Sequence, residues 1–200
     1  MTRKVFDKLA STAGIVVVVV LIAAGGLLTW GHSFVNDNVH TQLAQQQITF
    51  PPAAAFKNAK AGTEITPSMI GTVSQYAGQQ LTTGEQAKAY ADHFIAVHLA
   101  EMPYGGVYSK VSHAAMADPK NTELQGLKQT VFMGTTLRGL LLEAYAFSTV
   151  GTIMLWGAIA SFIGAAAIAL LVALGFRHAA RTSEDEKLLA PKAKVAPATA

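Results

Sequence analysis

Two long apolar runs frame the chain. Residues 13–30, AGIVVVVVLIAAGGLLTW, carry no charge, and residues 139–176, GLLLEAYAFSTVGTIMLWGAIASFIGAAAIALLVALGF, carry only Glu143. A hydrocarbon core about 30 Å thick is crossed by roughly 20 apolar helical residues rising 1.5 Å each. The first run fits one span, and the second is nearly twice too long for one. Counting about 20 residues back from Arg177 reaches Trp156, which would match Trp30 as an interfacial anchor. The pattern therefore predicts a lipid-crossing segment over 156–176 and, over 139–155, an apolar helix that protein must cover.

Between the runs the periodicity is helical. Val35, Val39 and Leu43 continue the first helix on one face until Phe50-Pro51-Pro52, where two prolines stop it. AAAFKNAKAG reads as an extended linker, and Thr66-Pro67 opens a short helix that Gly78 ends. Thr83 and Gln86 form a capping box ahead of EQAKAYADHFIAVHLAEM, which sets Ala87, Tyr90, Ala91, Phe94, Val97, His98 and Glu101 along one side. Gly105-Gly106 breaks this helix. VYSKVSHAAMA forms another, stopped at Asp118-Pro119, and Asn121 or Thr122 caps the last one, which runs on into the second apolar run. No strand pattern competes, and no internal repeat is present.

The predicted fold class is an all-α membrane protein whose two transmembrane helices extend into a periplasmic helical hairpin with a small inserted helical domain. The segments are a cytoplasmic N-terminus over 1–12, transmembrane helix one over 13–32 and an extracytoplasmic helical domain over 33–138. An outer stalk and transmembrane helix two follow over 139–176, then a disordered cytoplasmic tail over 177–200. The first run is longer than a signal-peptide core and lacks a small-residue cleavage site, so it is expected to be retained.

Charge adds the orientation. Arg3, Lys4 and Lys8 precede the first span, and Arg177, Arg181 and Lys187 follow the second, which places both termini in the cytoplasm of a multi-pass plasma-membrane protein. The intervening residues 36–138 hold seven Lys/Arg and seven Asp/Glu and are neutral. With 51% hydrophobic residues, 14% charged ones and a mean hydropathy of +0.33, the chain does not have the composition of a soluble domain. Its basic residues are unclustered, which argues against a nucleic-acid partner, and without cysteine there is no disulfide or thiolate site.

Two packing surfaces are legible. In the outer stalk, Val35, Val39 and Leu43 are expected to face Leu142, Phe147 and Val150, and one side of so apolar a stalk would also suit another protein. Within the lipid, Gly157, Ser161, Ala165, Ala169 and Ala173 recur every fourth residue as a small-residue stripe, serving either the first span through Gly25-Gly26 or a partner helix.

Reactive chemistry is sparse. His93 and His98 are roughly 140° apart around a helix, so they do not form a two-histidine metal pair. His98 and Glu101 share a face with Tyr104 nearby and are the candidate metal ligands, against the alternative of a histidine hydrogen-bonded to a carboxylate one turn away. Glu143 and Arg138 are expected to pair within the stalk. No nucleophile elbow, phosphate loop or catalytic carboxylate pair is found, so no catalytic residue and no cofactor is expected.

The runs FPPAAAFKNAKAGTEITPSM, YAGQQLTTGEQAKAYADHFIAVHLAEMPYGGVYSKVS and TVFMGTTLRGLLLEAYAFSTVG resemble, over about residues 15–176, a family of actinobacterial two-span membrane proteins often labelled as aromatic ring-opening dioxygenase subunits. The resemblance implies an envelope location and a two-pass topology. It does not supply an oxygenase site, because the spacing of histidines and carboxylates offers no facial triad for iron. The expectation is a non-catalytic accessory or scaffold subunit of a larger envelope complex, such as an oxidoreductase assembly, whose partners are integral membrane subunits and lipid or further copies of itself. The alternative is an extracytoplasmic small-ligand or metal sensor.

Overall fold

The computed structural model describes residues 1–184, 186 and 187. It is helical, and two isolated antiparallel bridges, Thr2 with Lys187 and Thr49 with Gln80, are the only extended pairings among the described residues. The helices are α1 (Arg3–Gln45), α2 (Ala53–Phe56), α3 (Gly84–Tyr90), α4 (Ala96–Glu101), α5 (Tyr108–Ala117) and α6 (Thr122–Arg181). Two of them, α1 with 43 residues and α6 with 60, are long and apolar enough to cross a membrane. The chain divides into two compact units, Met1–Trp30 with Met154–Ala200, and Gly31–Ile153.

In the first unit α1 and α6 run antiparallel along a seam of small residues. A Cβ built on Gly14 would meet the Val172 side chain, one on Gly25 would lie 2.9 Å from the Phe162 ring, and one on Gly175 would meet Ser11 Oγ. The covered positions on α1 include Ser11, Gly14, Val18, Leu21, Gly25 and Leu28, at alternating steps of three and four. Those on α6 include Ala158, Ser161, Ala165, Ile168, Val172, Gly175 and Ala179. A 3.5-residue repeat is the signature of two helices wound left-handedly about one another.

This corrects the predicted stripe. Ala165 is buried and Gly157 and Ser161 are half-buried, but Ala169 and Ala173 are exposed and turn away from α1. The reason is geometric: a four-residue step turns about 400°, so a strict four-residue repeat drifts about 40° per step and leaves any straight seam within a few turns. At the terminal end of this unit α6 stays helical through Arg181, beyond the expected start of the tail. There His178 pairs with Asp7 at 2.7 Å and Lys4 with Glu184 at 3.0 Å, and the Lys4 ammonium holds the Glu184 carboxyl below its ordinary value. The rest of the expected tail, residues 185 and 188–200, lies outside the described residues.

The Gly31–Ile153 unit holds the hydrophobic core. Leu43 from α1, Val131 and Leu141 from α6, and Phe50, Met69, Val73, Leu81, Leu99 and Val111 from the inserted segments are all buried. Of the expected stalk pairing, Leu43 and Val39 do face the core and Leu142 packs at its edge. Phe147 and Val150, however, are 53% and 44% exposed, and the fully covered positions over residues 139–155 of α6 are Leu141 and Gly151. Val35 rests on Gly151, 3.4 Å from where a Cβ would sit, and His32 Nδ1 bonds the Gly151 carbonyl at 2.8 Å.

Several local expectations need correction. Helix α1 ends at Gln45, six residues before the first proline, because Gln47 takes the left-handed conformation (φ 54°). The chain after it is extended, with Leu81 N–H donating to the Ile48 carbonyl and Phe50 N–H to the Gln79 carbonyl. The expected linker contains the single turn α2, which buries Phe56. The expected helix before Gly78 is two 3₁₀ turns, Pro67–Met69 and Ser74–Tyr76, split at Gly71, whose φ of +88° no helix accommodates.

Candidate functional site

Two concave sites lie within the Gly31–Ile153 unit. The first is a groove of about 320 Å³ between α1 and α6. Its α1 wall presents Phe34, Asn38, Gln42 and Gln46 at helical spacing, with Gln42 Nε2 donating to Asn38 Oδ1 at 2.9 Å. Its α6 wall presents Leu137, Leu140, Glu143, Ala144 and Phe147. Phe34, Leu140 and Phe147 are each more than half exposed, so the groove is an apolar surface bordered by amides and one carboxylate. Glu143 is its only charge. It does not pair with Arg138 as expected, since five residues separate their directions by roughly 140°. Arg138 instead reaches Asp92 at 2.8 Å, and Asp92 also accepts from Lys88 at 2.7 Å. The Lys88 ammonium, and after it the Arg138 guanidinium, hold the Asp92 carboxyl below its ordinary value against the opposing effect of burial.

The second site is a cleft of about 430 Å³ lined by Phe50, Pro51, Pro52, Glu64, Tyr90 and Phe94, among others. Its aromatic wall is built from the core outward. Phe50 is 1% exposed and stands edge-on to Tyr90 with centroids 5.4 Å apart, and Tyr90 stacks on Phe94 at 4.6 Å. Tyr90 and Phe94 come from a helical segment with an unusual register. The capping box forms as expected, with Gln86 N–H donating to Thr83 Oγ1 and Gln86 Oε1 accepting from Thr83 N–H. Residues Ala91–Ile95 then form a π-helical turn, marked by the Ala96 N–H bonding back to the Ala91 carbonyl. The wider turn keeps Ala87, Ala91, Ile95 and Leu99 in one buried line. Of the expected side, Ala87 and Ala91 are buried and Tyr90, Phe94 and Val97 pack against the core, whereas His98 is left half-buried at the rim and Glu101 is exposed.

His98 closes on Phe94 at 4.5 Å, edge to face, and its Nε2 donates to the Glu64 carbonyl at 2.7 Å. The loop carrying Glu64 is further tied by Thr63 Oγ1 to the Lys60 and Ile65 carbonyls and by Lys60 N–H to the Ile65 carbonyl. His98 therefore fixes the backbone at Glu64. Among the described residues no group of three or more His, Asp or Glu is placed to hold a metal ion, and Glu101 brings no partner to His98. Burial, with the nearby Glu64 carboxylate second, pushes the Tyr90 hydroxyl pKa up, so the phenol stays protonated in the neutral range. The cleft escaped the sequence reading because its residues are scattered over positions 49–94, and no local spacing joins them. Comparison with known proteins does not extend this description: no protein-family model, curated protein or solved structure matches the chain.

Proposed function

We propose that the chain is a two-pass cell-membrane protein with both termini cytoplasmic, whose 31–153 unit lies outside and serves as a non-catalytic accessory or scaffold subunit of a larger envelope complex. Membrane insertion is supported by the outward faces of α1 and α6 in the first unit. Val16, Val20, Leu27, Ile163, Leu170 and Leu174 are all more than half exposed there, apolar side chains that lipid would cover. The basic residues beyond both spans support the orientation. The chain has no native cysteine, so single cysteines report topology directly. Lys57→Cys is expected to react with a membrane-impermeant maleimide on intact cells, and Lys8→Cys only after permeabilisation; the reverse pattern overturns the orientation.

The observation that carries the scaffold reading is the groove between α1 and α6. Residues 34–46 of α1 extend it for about 20 Å along the helix, and a channel between two packed antiparallel helices accepts the side-chain ridge of a third. The occupant proposed is an apolar helix of a partner membrane subunit, with Leu140 and Phe147 as anchors and Asn38, Gln42 and Gln46 satisfying its polar edge. Phe147→Glu is expected to lower recovery of co-purifying subunits from native membranes in mild detergent by about tenfold or more, the range of a buried hot-spot residue. Recovery of a lone monomer at all concentrations would sink the proposal.

A further inference from the structure

The cleft at Glu64 is independent of the groove and has its own chemistry. Its aromatic wall is Phe50, Tyr90 and Phe94, and its charged wall is the Glu64 carboxylate, which is exposed and makes no ion pair or hydrogen bond among the described residues. No lysine, arginine or histidine side chain lines it. Pro51 and Pro52, which line it, have no N–H to offer, and Phe50 N–H is already bonded to the Gln79 carbonyl. An anion entering the cleft would meet a carboxylate and almost no donors. A neutral apolar molecule would cover part of that carboxylate without giving it a partner, which is unfavourable. A cation meets an opposite charge beside an aromatic wall, the two kinds of partner by which proteins bind quaternary ammonium groups.

We infer that this cleft is a binding site for a small organic ammonium ion, held by Glu64 through its charge and by Tyr90 and Phe94 through their rings. The site is built in advance of any ligand. His98 holds the Glu64 carbonyl at 2.7 Å and closes on Phe94, so one side chain ties the charged wall to the aromatic wall. Burial, and after it the same carboxylate, push the Tyr90 pKa up, and the neutral phenol adds no second negative charge to the cleft. The cleft volume of about 430 Å³ lies at the small end of ligand pockets and admits a choline-sized molecule.

The probe is choline, titrated into the full chain in a maltoside detergent, whose headgroup is uncharged, and followed by saturation-transfer NMR. Its neutral carbon isostere, neohexyl alcohol, serves as the reference. Choline is expected to bind about tenfold tighter than neohexyl alcohol, and Glu64→Gln and Phe94→Leu each to weaken choline by about fivefold, the scale of one cation–π or partly screened charge contact. Glu64 is exposed, so its glutamine variant keeps the fold, which circular dichroism verifies. His98→Gln is expected to weaken choline without affecting helicity, because His98 positions Glu64 and does not itself line the cleft. Equal affinity for choline and neohexyl alcohol, unchanged affinity in Glu64→Gln, or no detectable choline binding would each overturn the inference.

Discussion

Alanine at Gly106 is expected to destabilise the Gly31–Ile153 unit by about 3 kcal/mol, combining the cost of a side chain at positive φ with an overpacking clash. Gly106 sits at the end of a tight turn, Pro103–Gly106, with φ +61°. A Cβ there would fall on the Leu99 carbonyl oxygen, 2.6 Å from its carbonyl carbon and 3.0 Å from its Cα. These are main-chain atoms that no rotamer change can move. The same carbonyl accepts the Met102 N–H at 3.1 Å, so displacing it opens the end of α4. Leu99 is buried and sits against α6 at Gly134, with its Cδ2 only 3.0 Å from where a Cβ on that residue would lie, so the disturbance reaches the core. Gly105 supplies the control. Its φ of +64° is equally unfavourable to alanine, but open space surrounds it. Gly105→Ala should cost only about 1 kcal/mol. Thermal unfolding followed by circular dichroism should show a drop of about 10 °C or more for Gly106→Ala and a few degrees for Gly105→Ala. Equal drops would show that the Leu99 carbonyl contact is not what excludes a side chain.

These positions also show which parts of the fold are written locally. The Thr83–Gln86 capping box, the break at Asp118-Pro119 and the cap at Asn121, whose Oδ1 accepts from Leu124 N–H, depend only on neighbours within four residues, and all three form as the sequence predicts. Errors arose where a small departure from ideal helix geometry accumulates. The π turn at Ala91–Ile95 carries the buried line to Ile95 and Leu99 in place of His98 and Glu101, and nothing in ADHFI announces it. The seven-residue seam of α6 and the four-residue recurrence of small residues share Ser161 and Ala165, and they diverge at Ala169 and Ala173. His98 was legible as a residue of interest, but its partner, the Glu64 carbonyl, lies 34 positions away and belongs to the main chain, which no side-chain pattern reveals. The two concave sites were half legible for the same reason. Phe147 stood out because its whole apolar run did, whereas the cleft is assembled from segments that only the fold brings together.

The docking of α3 on α6 gives the second large effect and a way to trace it to one contact. Gly84 is the first residue of α3 and is buried against α6, where a Cβ would fall on Ser148 Cβ, 2.6 Å from its Oγ and 3.3 Å from Tyr145 Cα. The first side-chain carbon and the main chain of a long helix cannot swing aside, so Gly84→Ala must push the two helices apart. Overpacking of this kind costs about 1–3 kcal/mol. The strain would spread along α3, because Lys88, one turn on, lies 5.3 Å over the Tyr145 ring and binds Asp92, which in turn binds Arg138 of α6. Removing the opposing atoms should relieve it. Ser148→Gly alone is expected to cost about 1 kcal/mol as a glycine inside a helix, and the double variant Gly84→Ala with Ser148→Gly should be little less stable than Ser148→Gly by itself. The two substitutions would then be coupled by about 1–2 kcal/mol, well above the few tenths seen between independent sites. Thermal unfolding of the two single variants and the double variant measures that coupling. Additive losses would mean that the Gly84–Ser148 approach does not set the distance between α3 and α6.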